Sequence, residues 1–170
     1  NSACEECGQH TYQDDGGQDT CKTCDYHCSA GQEHTGCAGG SPGACQDCTR
    51  GQAKATAGQH KCSDCEAGKF HESAGQTACK DCPTGTYHAS AGQTSCKGCD
   101  YHCTAGTYHA GCGGADAGSC RNCHQGTFKQ IASTEGCADC LSGHFQNQSG
   151  AKSCSPCAEH TFQRVPGAKA

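Results

Sequence analysis

Cysteine is the residue type that could do chemistry here. The 170-residue chain holds 22 Cys, most of them in C-x-x-C pairs: Cys4/Cys7, Cys21/Cys24, Cys45/Cys48, Cys62/Cys65, Cys79/Cys82, Cys96/Cys99, Cys120/Cys123, Cys137/Cys140 and Cys154/Cys157. Cysteines so spaced have three uses. As thiolates, C-x2-C-x13-C-x2-C lies near the spacing of a four-Cys zinc site. As a redox dithiol, C-x-x-C needs a βαβ context, and no helical or strand-length apolar period is present. As disulfides, they make a covalent framework.

Composition favours the framework. There is one Leu (Leu141), one Ile (Ile131), one Val (Val165), four Phe, and no Met or Trp. Burial of so few apolar side chains cannot offset backbone ordering, about 1–2 kcal/mol per residue. A disulfide closing a loop of about 15 residues contributes roughly 3 kcal/mol, mainly by restricting the unfolded chain. Dense, evenly numbered Cys in a hydrophilic chain are typical of small secreted domains, so disulfides outside the cytosol are expected and zinc is the alternative.

The elements that position the cysteines are repeats. Steps of 17 residues separate Cys4 from Cys21, Cys45 from Cys62, Cys62 from Cys79, Cys79 from Cys96, Cys120 from Cys137 and Cys137 from Cys154. An enlarged unit, Cys24-Asp25-Tyr26-His27-Cys28 through Cys37 to Cys45, returns 75 residues later as Cys99-Asp100-Tyr101-His102-Cys103 through Cys112 to Cys120. The chain divides into a short unit at 1–23, an enlarged unit at 24–47, three short units at 48–98, an enlarged unit at 99–122, two short units at 123–156 and a last short unit at 157–170. Such an array lets each unit touch mainly its neighbours. Gly51, Gly68, Gly85, Gly126 and Gly143 lie three after the second Cys of a pair, with Gly8 taken as their counterpart in the first unit. A left-handed turn is expected there. Tyr12, Phe70, Tyr87, Phe128, Phe145 and Phe162 lie five after it, where a ring can cover a disulfide. Ala53 breaks that series, and its unit is expected to be the loosest. The fold class predicted is a small disulfide-rich repeat protein: an elongated ladder of disulfide-stapled loops with short β-hairpins, almost no helix and no conventional hydrophobic core.

The run Cys7-x13-Cys21-x2-Cys24-x3-Cys28-x8-Cys37-x7-Cys45 resembles a cysteine-rich domain of the tumour-necrosis-factor receptor family. The short units, such as Cys82-Pro83-Thr84-Gly85-Thr86-Tyr87 through Gly92 to Cys96, resemble ephrin-receptor-like cysteine-rich repeats. The resemblance implies ten disulfides: Cys7–Cys21, Cys24–Cys37, Cys28–Cys45, Cys48–Cys62, Cys65–Cys79, Cys82–Cys96, Cys99–Cys112, Cys103–Cys120, Cys123–Cys137 and Cys140–Cys154. It leaves Cys4 and Cys157 unpaired within the chain. Sequence alone leaves other connectivities open.

The remaining candidates are weaker. Eleven His are present, but no His-x3-His pair, so no metal is expected. Asp47, Asp64, Asp81 and Asp139 precede the second Cys of a pair without a calcium-loop pattern, and are read as turn caps. No nucleophile elbow, zincin or paired-carboxylate motif appears, so neither catalysis nor a cofactor is expected. Asn147-Gln148-Ser149 is an N-glycosylation acceptor. The net charge of −5 is scattered without a basic patch, which argues against nucleic acid. No stretch is long and apolar enough to span a membrane. Repetition predicts a structural component of an extracellular assembly (a filament, surface appendage, stalk or coat) that self-associates with neighbouring copies and carries glycans. A ligand-binding receptor ectodomain is the alternative. Gly167-Ala168-Lys169-Ala170 repeats the residues before Cys154, so a Cys is expected at position 171, with the chain a window in a longer array.

Overall fold

The computed structural model describes residues 4–168. Among these there is no helix, and every sheet is a two-stranded antiparallel hairpin. Six hairpins have strands of two residues: Thr11–Tyr12 with Lys22–Thr23, Gln52–Ala53 with Ser63–Asp64, Lys69–Phe70 with Lys80–Asp81, Thr86–Tyr87 with Lys97–Gly98, Thr127–Phe128 with Ala138–Asp139, and His144–Phe145 with Ser155–Pro156. The second strand of each is the pair of residues inside a C-x-x-C, directly after the Cys that closes the loop, so the disulfide clamps what two residue pairs alone would not hold. The fold class is the disulfide-rich repeat fold expected from the spacing.

The enlarged units depart from short hairpins. Gln32–Ala38 pairs with Ser41–Asp47, and Thr107–Gly113 with Asp116–Asn122, seven residues on each side. Two-residue loops close them, and the first loop residue is Gly39 (φ 57°) or Gly114 (φ 58°), where a tight hairpin favours Gly. Halfway along each ladder, two left-handed glycines face one another, Gly36 with Gly43 and Gly111 with Gly118. A side chain at Gly43 would strike the His34 ring, and one at Gly118 the His109 ring. The bare backbone therefore makes room for an imidazole.

Two compact units divide the chain: Asn1–Cys82 with His88–Cys96, and Pro83–Tyr87 with Lys97–Ala170. In the first, successive loops are joined by recurring backbone hydrogen bonds. The Gly31, Gly51 and Gly68 amides donate to the carbonyls of Lys54, His71 and His88 in the following loop (2.8–2.9 Å). In return the Gly58, Gly75 and Gly92 amides donate to the carbonyls of Cys28, Cys48 and Cys65 (2.7–2.9 Å). The second unit repeats the scheme. There Gly106, Gly126 and Gly143 donate to Lys129, Gln146 and Gln163, and Ser133, Gly150 and Gly167 donate to Cys103, Cys123 and Cys140 (2.7–3.1 Å).

At Gly31, Gly51, Gly106 and Gly126 the glycine at the head of the loop has a second reason to be glycine. Gly51 adopts φ +80°, and a Cβ there would overlap the carbonyl of Gly92, two loops further on. Gly126 stands in the same relation to Gly167. In the first and last loops this position is His10 (φ 65°) and His160 (φ 67°). Gly8, taken above as the first unit's turn glycine, lies two residues before the left-handed position, because that loop starts its turn with His10.

The interior consists of sulfur. The buried apolar residues are Cys24, Cys28, Cys48, Cys65, Cys103, Cys123 and Cys140. Tyr12, Phe70, Tyr87, Phe128 and Phe145 are half-buried, whereas Phe162 is 77 % exposed. The three aliphatic side chains larger than Ala take no part in the interior: Leu141 is 73 % exposed, Ile131 68 % and Val165 66 %.

Candidate functional site

The cysteines occupy ten bridges: Cys7–Cys21, Cys24–Cys37, Cys28–Cys45, Cys48–Cys62, Cys65–Cys79, Cys82–Cys96, Cys99–Cys112, Cys103–Cys120, Cys123–Cys137 and Cys140–Cys154. Their Cα–Cα separations of 5.6–6.1 Å lie in the ordinary disulfide range. Cys4 is free and exposed, and Cys157 is free and partly covered. An oxidised Cys cannot ligate zinc, and among the described residues no three of His, Cys, Asp and Glu gather as a metal cluster.

Three of the four Asp residues read as turn caps, Asp47, Asp64 and Asp81, join strands instead. The Asp47 carboxylate accepts from Gln32 Nε2 (3.0 Å) and Asp64 from Gln52 Nε2 (2.8 Å), while Asp81 pairs with Lys69 Nζ (2.5 Å). Each pair consists of cross-strand partners at the mouth of a hairpin. They latch the strands together, as opposed side chains in a ladder do. Turn capping falls instead to Asp25, Asp100 and Asp116, which accept from the amides of His27, His102 and Gly118 (2.8–2.9 Å). Two further latches are Lys22 with Asp14 and Asp15, and Lys80 with Glu72. The Lys22 hydrogen bond holds the Asp14 carboxyl below its ordinary range, and Lys80 does the same for Glu72. In the converse sense, Asp14 raises the Lys22 ammonium and Asp81 raises that of Lys69. All these groups are solvent-exposed, so each latch contributes little and is screened by salt.

The enlarged units enclose a ring pair. Tyr26 meets His34 edge-on with centroids 5.1 Å apart, and Tyr101 meets His109 at 5.2 Å. His34 Nδ1 and His109 Nδ1 are buried without a hydrogen-bond partner. Asn147, with Gln148 and Ser149, lies exposed in the loop that follows His144–Phe145.

Two lysines are buried that the sequence reading does not single out. Lys54 is 2 % exposed and Lys129 5 %. Lys54 Nζ donates to the Gly58 carbonyl (2.7 Å) and the Cys28 carbonyl (3.4 Å), and Lys129 Nζ to the Ser133 carbonyl (2.7 Å). Each thus ties the loop after an enlarged unit back onto the joint between them. They stand 75 residues apart, each six after the second Cys of its pair, and that coincidence is the signal available in the sequence.

Ala53 leaves a visible mark. Where the other short units place an aromatic ring, the surface beside Ala53 opens into a depression of about 480 Å³, bordered by Ala55, His60, Asp64, Glu66, Lys69 and Ala78. The equivalent place 75 residues on has Phe128 for Ala53, and there the depression shrinks to about 180 Å³ between Phe128, Leu141, His144 and Cys154. Leu141 replaces Glu66 on the rim, and His144 replaces Lys69. Ala53 therefore marks a recess in its unit; the fully buried Cys48 and nearly buried Lys54 lie in the same loop.

No described residues form a helix long and apolar enough to cross a membrane. Comparison with known families matches residues 68–102 and 126–170 to the family described as tyrosine-protein kinase ephrin type A/B receptor-like. The enlarged unit at 24–47 lies outside those stretches. No curated protein matches the chain. Together with the ten disulfides, the match points to an extracellular or cell-surface location. Residues 68–102 and 126–170 are thus similar to ephrin-receptor-like cysteine-rich repeats, and they lie in a tandem array of disulfide-stapled units.

Proposed function

We propose that the chain is a secreted, non-enzymatic structural component of an extracellular assembly, associating with further copies of itself. The observation that supports this most is the recurrence of one joint. The same pair of backbone hydrogen bonds links loop after loop in both units, so a similar surface is presented at regular intervals in the chain. Recurring surfaces suit lateral or head-to-tail association. Among the described residues, the recesses beside Ala53 and Phe128 are open, and neither gathers catalytic groups.

A second reading is a ligand-binding ectodomain of a cell-surface receptor, favoured by the ephrin-receptor-like match at 68–102 and 126–170. Sizing the protein by sedimentation velocity, without reductant and over a range of concentrations, separates the two. The structural reading expects mass to rise with concentration into large assemblies. A monomer at every concentration overturns it in favour of the receptor reading.

A further inference from the structure

We propose that the recess beside Ala53 receives the exposed Leu141 side chain of a second copy of this chain. The inference rests on the self-associating reading above and names its contact surface. Three observations carry it.

The recess lies where an aromatic side chain is missing. At the matching place in the other half of the array Phe128 occupies the space, and the opening falls from about 480 to about 180 Å³. The walls beside Ala53 include Ala55 and Ala78, small apolar residues that a branched aliphatic side chain can contact without displacing them.

Leu141 is the knob. It is the one Leu of a chain almost devoid of large aliphatics, and it is 73 % exposed on the rim of the narrowed site. Folding makes little use of it, and leaving such a side chain in water forgoes about 1.5–3 kcal/mol of burial.

Charge favours a second copy in the reversed pairing, hole against knob. The unit that holds the recess carries twelve Asp and Glu against six Lys and Arg, net −6, and the unit that holds Leu141 carries five against six, net +1. At the recess itself the charges are mixed, Asp64 and Glu66 standing beside Lys54 and Lys69, so the complementarity lies in the units as wholes. Beside Leu141 stands His144. Each hole-to-knob contact leaves the first copy's hole and the second copy's knob, which either meet each other in a two-fold pair or take up further copies.

The test uses the full 170-residue chain and two variants, Ala53→Phe, which fills the hole as Phe128 fills its counterpart, and Leu141→Ser, which removes the knob. Each is checked for two titratable thiols, as in the parent, and sized by sedimentation velocity. The parent is expected to form concentration-dependent oligomers, and each variant alone to associate at least about tenfold more weakly, the order expected for one buried Leu. Mixed in equal amounts, the variants should form dimers and stop there, because one supplies only a knob and the other only a hole. Dimer formation in the mixture also shows that both variants are folded. Parent association that survives both substitutions overturns this contact while leaving the structural reading standing. Variants with intact disulfides that stay monomeric when mixed also overturn it. A parent that is monomeric throughout overturns both.

Discussion

Replacing Gly51 by Ala tests how the loops are held together, and Gly143→Ala is its control. Both glycines have φ +80°, so both variants bear the same left-handed strain, about 1–2 kcal/mol for a residue with a Cβ. They differ in what surrounds them. The methyl group introduced in place of Gly51 would overlap the carbonyl of Gly92 two loops away, whereas nothing lies within 4 Å of the Cβ position at Gly143. To relieve the overlap the Gly92 turn must move outward. That strains its amide bond to the Cys65 carbonyl (2.7 Å) and the neighbouring bond from His71 N to the Gln93 carbonyl (3.1 Å). At about 0.5–1.5 kcal/mol per hydrogen bond, losing both adds about 1–3 kcal/mol. Gly51→Ala should therefore destabilise its region by about 2–5 kcal/mol, and Gly143→Ala by about 1–2 kcal/mol. Native-state hydrogen exchange at the Gly92 and His71 amides reads the difference locally, without melting the disulfide-locked chain. Their protection should collapse in Gly51→Ala, whereas in Gly143→Ala the amides at that glycine's own joints, Gly143 and Cys157, should keep most of theirs. Equal loss of protection in both would refute the close approach between loops two steps apart and leave only backbone strain.

Three other outcomes follow from the same geometry. Lys54→Met should change stability by less than about 1 kcal/mol, because Met keeps the buried stem and the Cys28 and Gly58 carbonyls still accept each other's amides, whereas Lys54→Ala should cost about 1–3 kcal/mol for the cavity; denaturant titration of the two variants checks this. The depressed carboxyls of Asp14 and Glu72 contribute stability that is present above the ordinary carboxylate range and lost as pH falls through their lowered values, and the raised Lys22 and Lys69 ammonium groups contribute stability lost only as pH rises past about 10.5. Because all four are exposed, these latches should leave thermal stability nearly flat from about pH 5 to 9, with only a small, salt-sensitive fall on acidification; a large loss at pH 5 in the parent chain, absent from the Lys22→Ala and Lys80→Ala variants, would count against this. Asn147 is expected to carry an N-glycan in native material, and an unshifted mass for the peptide spanning His144 to Lys152 would contradict that.

Much of the fold was legible because it is covalent. The spacing of Cys79, Cys82, Cys96 and Cys99, with the lack of large apolar residues, leaves crosslinked loops as the stable solution, and hairpins of two-residue strands fit between them. What escaped the sequence depends on contacts between loops. Lys54 and Lys129 look like ordinary surface lysines until the neighbouring loop folds over them. Asp47, Asp64 and Asp81 suit turn caps by type, but cross-strand register gives them Gln32, Gln52 and Lys69 as partners. The seven-residue hairpins at Gln32–Ala38 and Thr107–Gly113 were hidden by paired glycines, which signal turns in a sequence but here sit opposite each other inside a ladder. The recess at Ala53 was visible as a missing aromatic, but its rim came from residues in two different loops.

Disulfides take the place of a hydrophobic core in this chain, and a thiol count on the unfolded, unreduced protein reads that out. The chain is unfolded in guanidinium with a chelator and no reductant, titrated with a thiol reagent and mapped by mass spectrometry. About two titratable thiols, on Cys4 and Cys157, are predicted, with the other cysteines in the ten bridges. Release of zinc with all 22 cysteines titrating would contradict it.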